Sequence, residues 1–311
     1  MNEHAAPKLS PEQLAILKRM VTPTDFDTSV IRRKFLDVPY GTLEQQKLDV
    51  YLPDEGEGPW PLIIYVHGGG WAMGNKTLGA LDCIIGALKC GYALVTVDYR
   101  LAPGAVFPEF LYDVKTAVRW ARAHAADYGF DPDRFAMLGD SAGGHLTLMV
   151  GFTAGHPEYE GEQYGWPGVS SAVQAIVDMY GPAVLDADTN AWLAESGVPR
   201  LSLGLTDPDK PTIYDTAFTR DKNMLRLISP VSYIHRNVPP TLIQQGCKDP
   251  VVPMQHSITV ADKIKALCGP DRVELKLYPD RTHSDGAFMT EENCQEVVAF
   301  LDKWLKKGVS K

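Results

Sequence analysis

The chain has 311 residues, 45% hydrophobic and 22% charged, the balance of an ordinary globular protein with enough apolar residues for a sizeable core. Its formal net charge of −9 argues against a general nucleic-acid binder and against docking on an anionic membrane, and no apolar run approaches membrane-spanning length. Met1 to Pro7 shows no basic segment followed by an apolar core, which sets the expectation of a cytoplasmic protein.

In chain order, residues 1–34 read as an N-terminal arm, either packing on the body or contributing to a lid. Ser10-Pro11-Glu12-Gln13 has the order of a capped helix start, and Leu14, Ile16, Leu17 and Met20 give that helix an apolar side. Phe35 to Tyr40 and Lys47 to Leu52 are short and β-prone, with turn residues between them, and predict an antiparallel pair. Pro61 to Val66 is almost continuously apolar, which suits a parallel strand buried on both faces. It runs into His67-Gly68-Gly69-Gly70-Trp71, a strand exit with several unencumbered backbone N–H groups. The loop lacks the Gly-Lys-Ser/Thr ending and the Gly-x-Gly-x-x-Gly spacing of phosphate loops.

Thr77 to Lys89 has helical periodicity, Tyr92 to Val97 is a buried strand, and Glu109 to Ala126 is a long amphipathic helix. Arg134 to Leu138 and Ala172 to Met179 are further strands. Residues 180–230 break the alternation and read as a lid or cap insertion, with Trp192, Tyr214 and Phe218 dispersed in it. Pro240 to Gly246 is a strand, Gln255 to Leu267 a helix, Val273 to Leu277 a strand and Glu291 to Leu305 the closing helix. Regular alternation of strand and helix predicts a parallel sheet with helices on both faces, an α/β architecture, in one domain over 1–311 with the arm and the insertion attached. Cys83, Cys90, Cys247, Cys268 and Cys294 are scattered and odd in number. They fit reduced core thiols rather than a disulfide frame, and no Cys/His grouping has zinc spacing.

The chemistry converges on Leu138-Gly139-Asp140-Ser141-Ala142-Gly143-Gly144-His145. A serine at the apex of a sharp strand-to-helix turn needs neighbours without a Cβ, here Gly139 and Gly143. Gly-Asp-Ser-x-Gly also occurs in the nucleophile loop of trypsin-like proteases, but those are all-β and their His and Asp precede the Ser. Asp249 and His283 each follow a predicted strand, at the sheet edge where open α/β proteins place their sites. Ser141 needs a base, His283 can serve near neutral pH, and Asp249 would fix the imidazole tautomer. Asp178 and Asp280 are the rivals for the acid. The N–H groups of Gly69, Gly70 and Ala142 are the expected oxyanion hole. Trp71, Asp140 and Val252, beside these groups, are the expected substrate contacts. His67 is expected to hold the glycine loop, and His145 to pack or cap on its helix.

His67-Gly68-Gly69-Gly70-Trp71, Gly139-Asp140-Ser141-Ala142-Gly143-Gly144, Asp249-Pro250-Val251-Val252-Pro253 and His283 together resemble the α/β-hydrolase serine esterases. The resemblance is to the hormone-sensitive-lipase-like branch and the bacterial feruloyl and acetyl-xylan esterases, and it spans Phe35 to Leu305. Gln245-Gly246-x-x-Asp249-x-x-Val252-Pro253 followed by Gln255-x-Ser257 is most similar to the feruloyl/acetyl-xylan group. The resemblance implies a mostly parallel eight-stranded sheet, the triad and oxyanion hole named above, and neither metal nor cofactor. It implies a serine carboxylesterase acting on short or aromatic acyl esters, such as acetyl or feruloyl groups on sugar fragments, through an acyl-enzyme. Arylformamidase-type amide hydrolysis is the alternative, with a non-catalytic ligand-binding protein on this fold behind it. Where many relatives have Gly beside the histidine, this chain has Arg281-Thr282. The expected partner is a small-molecule ester, with neither nucleic acid nor membrane, and a homodimer is left open.

Overall fold

Leu62, Ile63, Ile64, Tyr65 and Val66 are all fully buried, because the strand they form lies in the middle of an eight-stranded sheet. The computed structural model describes residues 28–78, 81–185 and 222–306, side chains at 81–83 and 222–224 excepted. The predicted helix at residues 10–20 and most of the 180–230 insertion lie outside the described residues.

The strands are β1 (Lys34–Pro39), β2 (Lys47–Tyr51), β3 (Trp60–Val66), β4 (Ala93–Val97), β5 (Phe130–Asp140), β6 (Ala175–Met179), β7 (Thr241–Gly246) and β8 (Val273–Tyr278). Their order across the sheet is β1-β2-β4-β3-β5-β6-β7-β8. β1 pairs antiparallel with β2, and β2 antiparallel with β4. Every later pairing is parallel. The expected mostly parallel α/β-hydrolase sheet is therefore present, with the antiparallel hairpin at one edge.

The larger helices are α1 (Leu81–Lys89), α2 (Glu109–Ala123), α3 (Ala142–Phe152), α4 (Gln255–Cys268) and α5 (Glu291–Leu305). Side chains alternate across a strand, so β3 feeds two cores. Leu62, Ile64 and Val66 join Val114 and Ala117 of α2, Leu146 and Met149 of α3, and Val260 and Ile264 of α4. Ile63 and Tyr65 join Ile84 of α1 and Val297 and Leu301 of α5. A sheet covered on both faces explains why its central strands read as unbroken apolar runs.

Some boundaries differ from the sequence reading. Thr77 is not the start of a helix: its N–H and hydroxyl both donate to Asn75 Oδ1, at 2.8 and 2.6 Å, a local turn that competes with helix entry. α2 stops at Ala123, and Ala125–Tyr128 forms a separate turn closed by Gly129 at φ 71. β5 extends back to Phe130, which pairs with Trp60 across an irregular register. Of the four described cysteines only Cys294 is buried, and Cys90 is exposed just past α1 where the apolar pattern ends. The expectation of core thiols holds for Cys294 alone among them. No helix among the described residues is long and apolar enough to cross a membrane.

Candidate active site

Three strands of the parallel set, β5, β7 and β8, end at one edge of the sheet, and Ser141, Asp249 and His283 follow those ends. Ser141 lies between β5 and α3 with φ 52 and ψ −117, a strained backbone for a residue with a Cβ. The surroundings impose that strain. The Ser141 N–H donates to the Met179 carbonyl at the end of β6, 2.9 Å away, and the Ser141 carbonyl accepts from His145 in the first turn of α3. A Cβ on Gly143 would run into the Val66 carbonyl oxygen, and one on Gly139 into the Gly143 carbonyl. The serine turn therefore packs backbone to backbone against the exit of β3, and the flanking glycines are a steric requirement.

The structure brings the three predicted residues together. His283 Nδ1 is 2.7 Å from Asp249 Oδ2, and His283 Nε2 is 2.9 Å from Ser141 Oγ. An ionised carboxylate only accepts, so Nδ1 carries the proton and Nε2 is left to accept from the serine hydroxyl. Asp249 Oδ1 accepts from the N–H groups of Val251 and Val252 at 2.8 and 2.9 Å. All three side chains are buried, His283 completely. Such an array can lower the cost of removing the serine proton during attack on a carbonyl.

The glycine loop is held against the serine turn from several sides. Asp140 Oδ1 accepts from the Tyr65 hydroxyl at 2.6 Å and the Gly68 N–H at 3.2 Å. Burial pushes the Asp140 carboxyl up, while the Tyr65 hydrogen bond and the nearby His283 pull it back. His67 Nδ1 bonds the Gly68 carbonyl at 2.7 Å, and the His67 ring stacks on Tyr99 at 4.4 Å. The Tyr99 hydroxyl donates to the His67 carbonyl at 3.0 Å. Gly69 and Gly70 then take φ values of 106 and 59, a conformation in which glycine is unstrained. Ala142 is the first residue of α3, where a helix leaves its N–H groups without intrahelical partners. The three N–H groups proposed from sequence therefore belong to two segments in backbone contact.

The three expected substrate contacts are placed differently. Asp140 is turned inward as the brace just described, because its carboxylate finds two donors there. Trp71 is only 1% exposed, with its ring edge-on to His145 at 5.2 Å. Val252 is buried, and its N–H serves Asp249.

The rivals separate cleanly. Asp280 is exposed and ion-paired with Lys248 at 2.7 Å. Asp178 is buried on β6, accepts from the Gly181 N–H at 3.0 Å, and is pushed by burial up to about 8. His145 Nε2 bonds the Ile228 carbonyl at 2.8 Å, and burial lowers it to about 4. His256 Nδ1 accepts from Ala183 and Val184. The sequence reading did not single out Tyr65, Tyr99, Met179 or Tyr180. Tyr180, at φ 45, sets its ring against His283 with centroids 4.8 Å apart. A hydroxyl-bearing residue inside an aliphatic strand, as at Tyr65, was the available signal. Among the described residues no group of three or more His, Cys, Asp or Glu is arranged to hold a metal ion.

The BD-FAE family model matches residues 48–264. Esterase LipC of Mycobacterium tuberculosis is 31% identical over 279 residues, covering 88% of this chain and 65% of LipC. Esterase LipQ of the same organism is 31% identical over 71% of this chain and 50% of LipQ, so the chain spans less than two thirds of these relatives. A truncated carbohydrate esterase from gut microbiota superposes with a TM-score of 0.78 at 25% identity, over 90% of this chain and 99% of that one. An acetyl ester-xyloside bifunctional hydrolase from Caldicellulosiruptor lactoaceticus superposes with a TM-score of 0.60 at 25% identity, over 82% and 88%.

Proposed function

The chain belongs to the BD-FAE family, an α/β-hydrolase esterase family, and from that premise we propose that it is a serine carboxylic ester hydrolase working through an acyl-enzyme. The observation that carries the proposal is His283 bridging Ser141 and Asp249 at 2.9 and 2.7 Å. Ser141 Oγ attacks the ester carbonyl carbon as its proton passes to His283 Nε2. Asp249 stays ionised and stabilises the imidazolium. The N–H groups of Gly69, Gly70 and Ala142 receive the oxyanion, each worth about 10²–10³ in turnover. Collapse breaks the carbon–oxygen bond to the alcohol, which leaves with the proton from His283. Water, activated by the same imidazole, then releases the acid and restores Ser141.

The substrate is a short or aromatic acyl ester, with acetyl or feruloyl groups on sugar fragments as the natural class. Supporting this are the family and the two structural neighbours whose names refer to carbohydrate esters. The test compares the native protein with Ser141→Ala on p-nitrophenyl acetate, butyrate and octanoate, methyl ferulate, acetylated xylo-oligosaccharide and N-formylkynurenine. Ser141-dependent release of acetate or ferulate is expected. Activity confined to p-nitrophenyl esters removes the carbohydrate role, and a preference for N-formylkynurenine replaces ester with amide hydrolysis.

A further inference from the structure

Gln245 lies on β7 and is fully buried, four residues before Asp249. Its Nε2 is 3.1 Å from Asp249 Oδ2, 3.0 Å from the Val252 carbonyl and 3.1 Å from the Gly246 carbonyl. Three oxygens that only accept leave no doubt which end of the amide faces them, so the NH₂ group points at Asp249 and the carbonyl points away. That carbonyl accepts from the Ser257 hydroxyl of α4 at 3.0 Å. Ser257 is itself buried. The line Ser257–Gln245–Asp249–His283–Ser141 is thus continuous, with every donor and acceptor assigned by chemistry.

We propose that Gln245, held by Ser257, is a positioning residue for the reaction: it fixes the oxygen of Asp249 that faces His283 and takes up part of its negative charge. This rests on the reading of Ser141, Asp249 and His283 as a hydrolytic triad. Asp249 Oδ2 is shared between His283 Nδ1 and Gln245 Nε2, while Oδ1 is held by the Val251 and Val252 N–H groups. The carboxylate is therefore gripped on both oxygens and cannot rotate away from the imidazole. The second bond of Nε2, to the Val252 carbonyl, closes the turn that supplies those N–H groups. A donor on Oδ2 also draws off part of the carboxylate charge that faces His283 Nδ1. Among the described residues Asp140 at the end of β5 also interacts electrostatically with His283, and the ring of Tyr180, itself a phenol, lies against the imidazole.

The test is the pH dependence of p-nitrophenyl acetate hydrolysis by the native protein and three variants. Gln245→Met fills the same space without a donor. It is expected to lower kcat about tenfold, the cost of one hydrogen bond to a charged group, with KM within about twofold. The acid limb of kcat/KM moves to higher pH, because His283 then faces an undiluted carboxylate. Ser257→Ala shifts the limb in the same direction by less, and the double variant is no worse than Gln245→Met alone, since both act on one bond. Gln245→Glu is active above the acid limb while the introduced carboxyl is protonated and donates to Asp249, and loses activity on the alkaline side as that carboxyl ionises, where the native protein stays active. If Gln245→Met does not fold, Ser257→Ala and Gln245→Glu decide. An unmoved acid limb with kcat within twofold in folded variants, or a native-like profile for Gln245→Glu, overturns the proposal. Native protein without Ser141-dependent hydrolysis overturns the functional reading itself, a result distinct from active protein indifferent to position 245.

Discussion

The Met179 carbonyl accepts the Ser141 N–H at 2.9 Å, which ties the turn bearing the hydroxyl to the end of the neighbouring strand. The next residue, Tyr180, lays its ring against His283. One strand end therefore locates both the serine and the imidazole, although the two residues are 142 positions apart. The grip on the serine is through backbone atoms, which side-chain substitution leaves in place. That makes the site suited to single substitutions that alter chemistry without moving the frame.

Asp249→Asn should reduce kcat/KM for p-nitrophenyl acetate by about 10⁴, because an amide facing Nδ1 favours the wrong tautomer of His283. Asp280→Asn, which alters only an exposed pair with Lys248, should leave activity within about twofold. Steady-state kinetics on the two variants decides which aspartate serves the imidazole.

Asp178→Asn should stabilise the protein above neutral pH. Burial raises the Asp178 carboxyl from 3.8 to about 8. Between those values the unfolded chain has lost the proton and the native chain keeps it. Native stability contributed by this group is thus complete below about pH 3.8 and drains away as pH rises towards 8. The amide removes that loss, for a gain of about 1–4 kcal/mol at pH 8. Urea midpoints of both proteins at pH 5 and pH 8 provide the check: the gap should widen with pH.

His145→Gln should act in the opposite window. Burial depresses His145 from 6.5 to about 4, so the unfolded chain takes up a proton that the native chain refuses. The stability is whole above about pH 6.5 and is lost as pH falls through 4. A glutamine can still donate to the Ile228 carbonyl without this liability. Thermal melts from pH 7 to pH 4 should show the variant losing less, by about 3 kcal/mol at the acid end.

Gly143→Ala should destabilise by about 2–4 kcal/mol and reduce activity, since the added carbon meets the Val66 carbonyl oxygen at the junction of β3 and the serine turn. Gly155→Ala offers a contrast. It has open space for a Cβ but a φ of 76, so only backbone strain of about 1 kcal/mol should appear in its denaturation curve.

Much of this was legible in advance, and the reason is periodicity and spacing. The nearly continuous apolar, β-branched runs at Pro61–Val66 and Tyr92–Val97 read as strands covered on both faces, and they occupy the sheet centre as β3 and β4. Ser141, Asp249 and His283 could be picked out because each follows such a strand. What escaped were roles set by third-dimension neighbours. Asp140 reads as a polar residue beside the serine, yet its partners Tyr65 and Gly68 lie more than seventy residues away. Trp71 and Val252 read as substrate contacts from their place beside the triad and oxyanion groups, and their side chains are buried, as are those of Ser141 and His283. Helix starts also misled where a short side chain, Asn75, bonds the backbone locally.

The strand order has a consequence for biosynthesis. Ser141 and its glycine loop are complete once β3 to β6 have paired, but His283 follows β8, which docks on β7 at the far edge. A chain emerging from the ribosome therefore presents Ser141 well before His283, the base that would activate it, has been synthesised. Until β8 adds to the sheet, that hydroxyl has the reactivity of any serine. Hydrolytic competence then arrives as a final event of assembly, and its appearance in a refolding or translation time course would report closure of the whole sheet rather than formation of the serine turn.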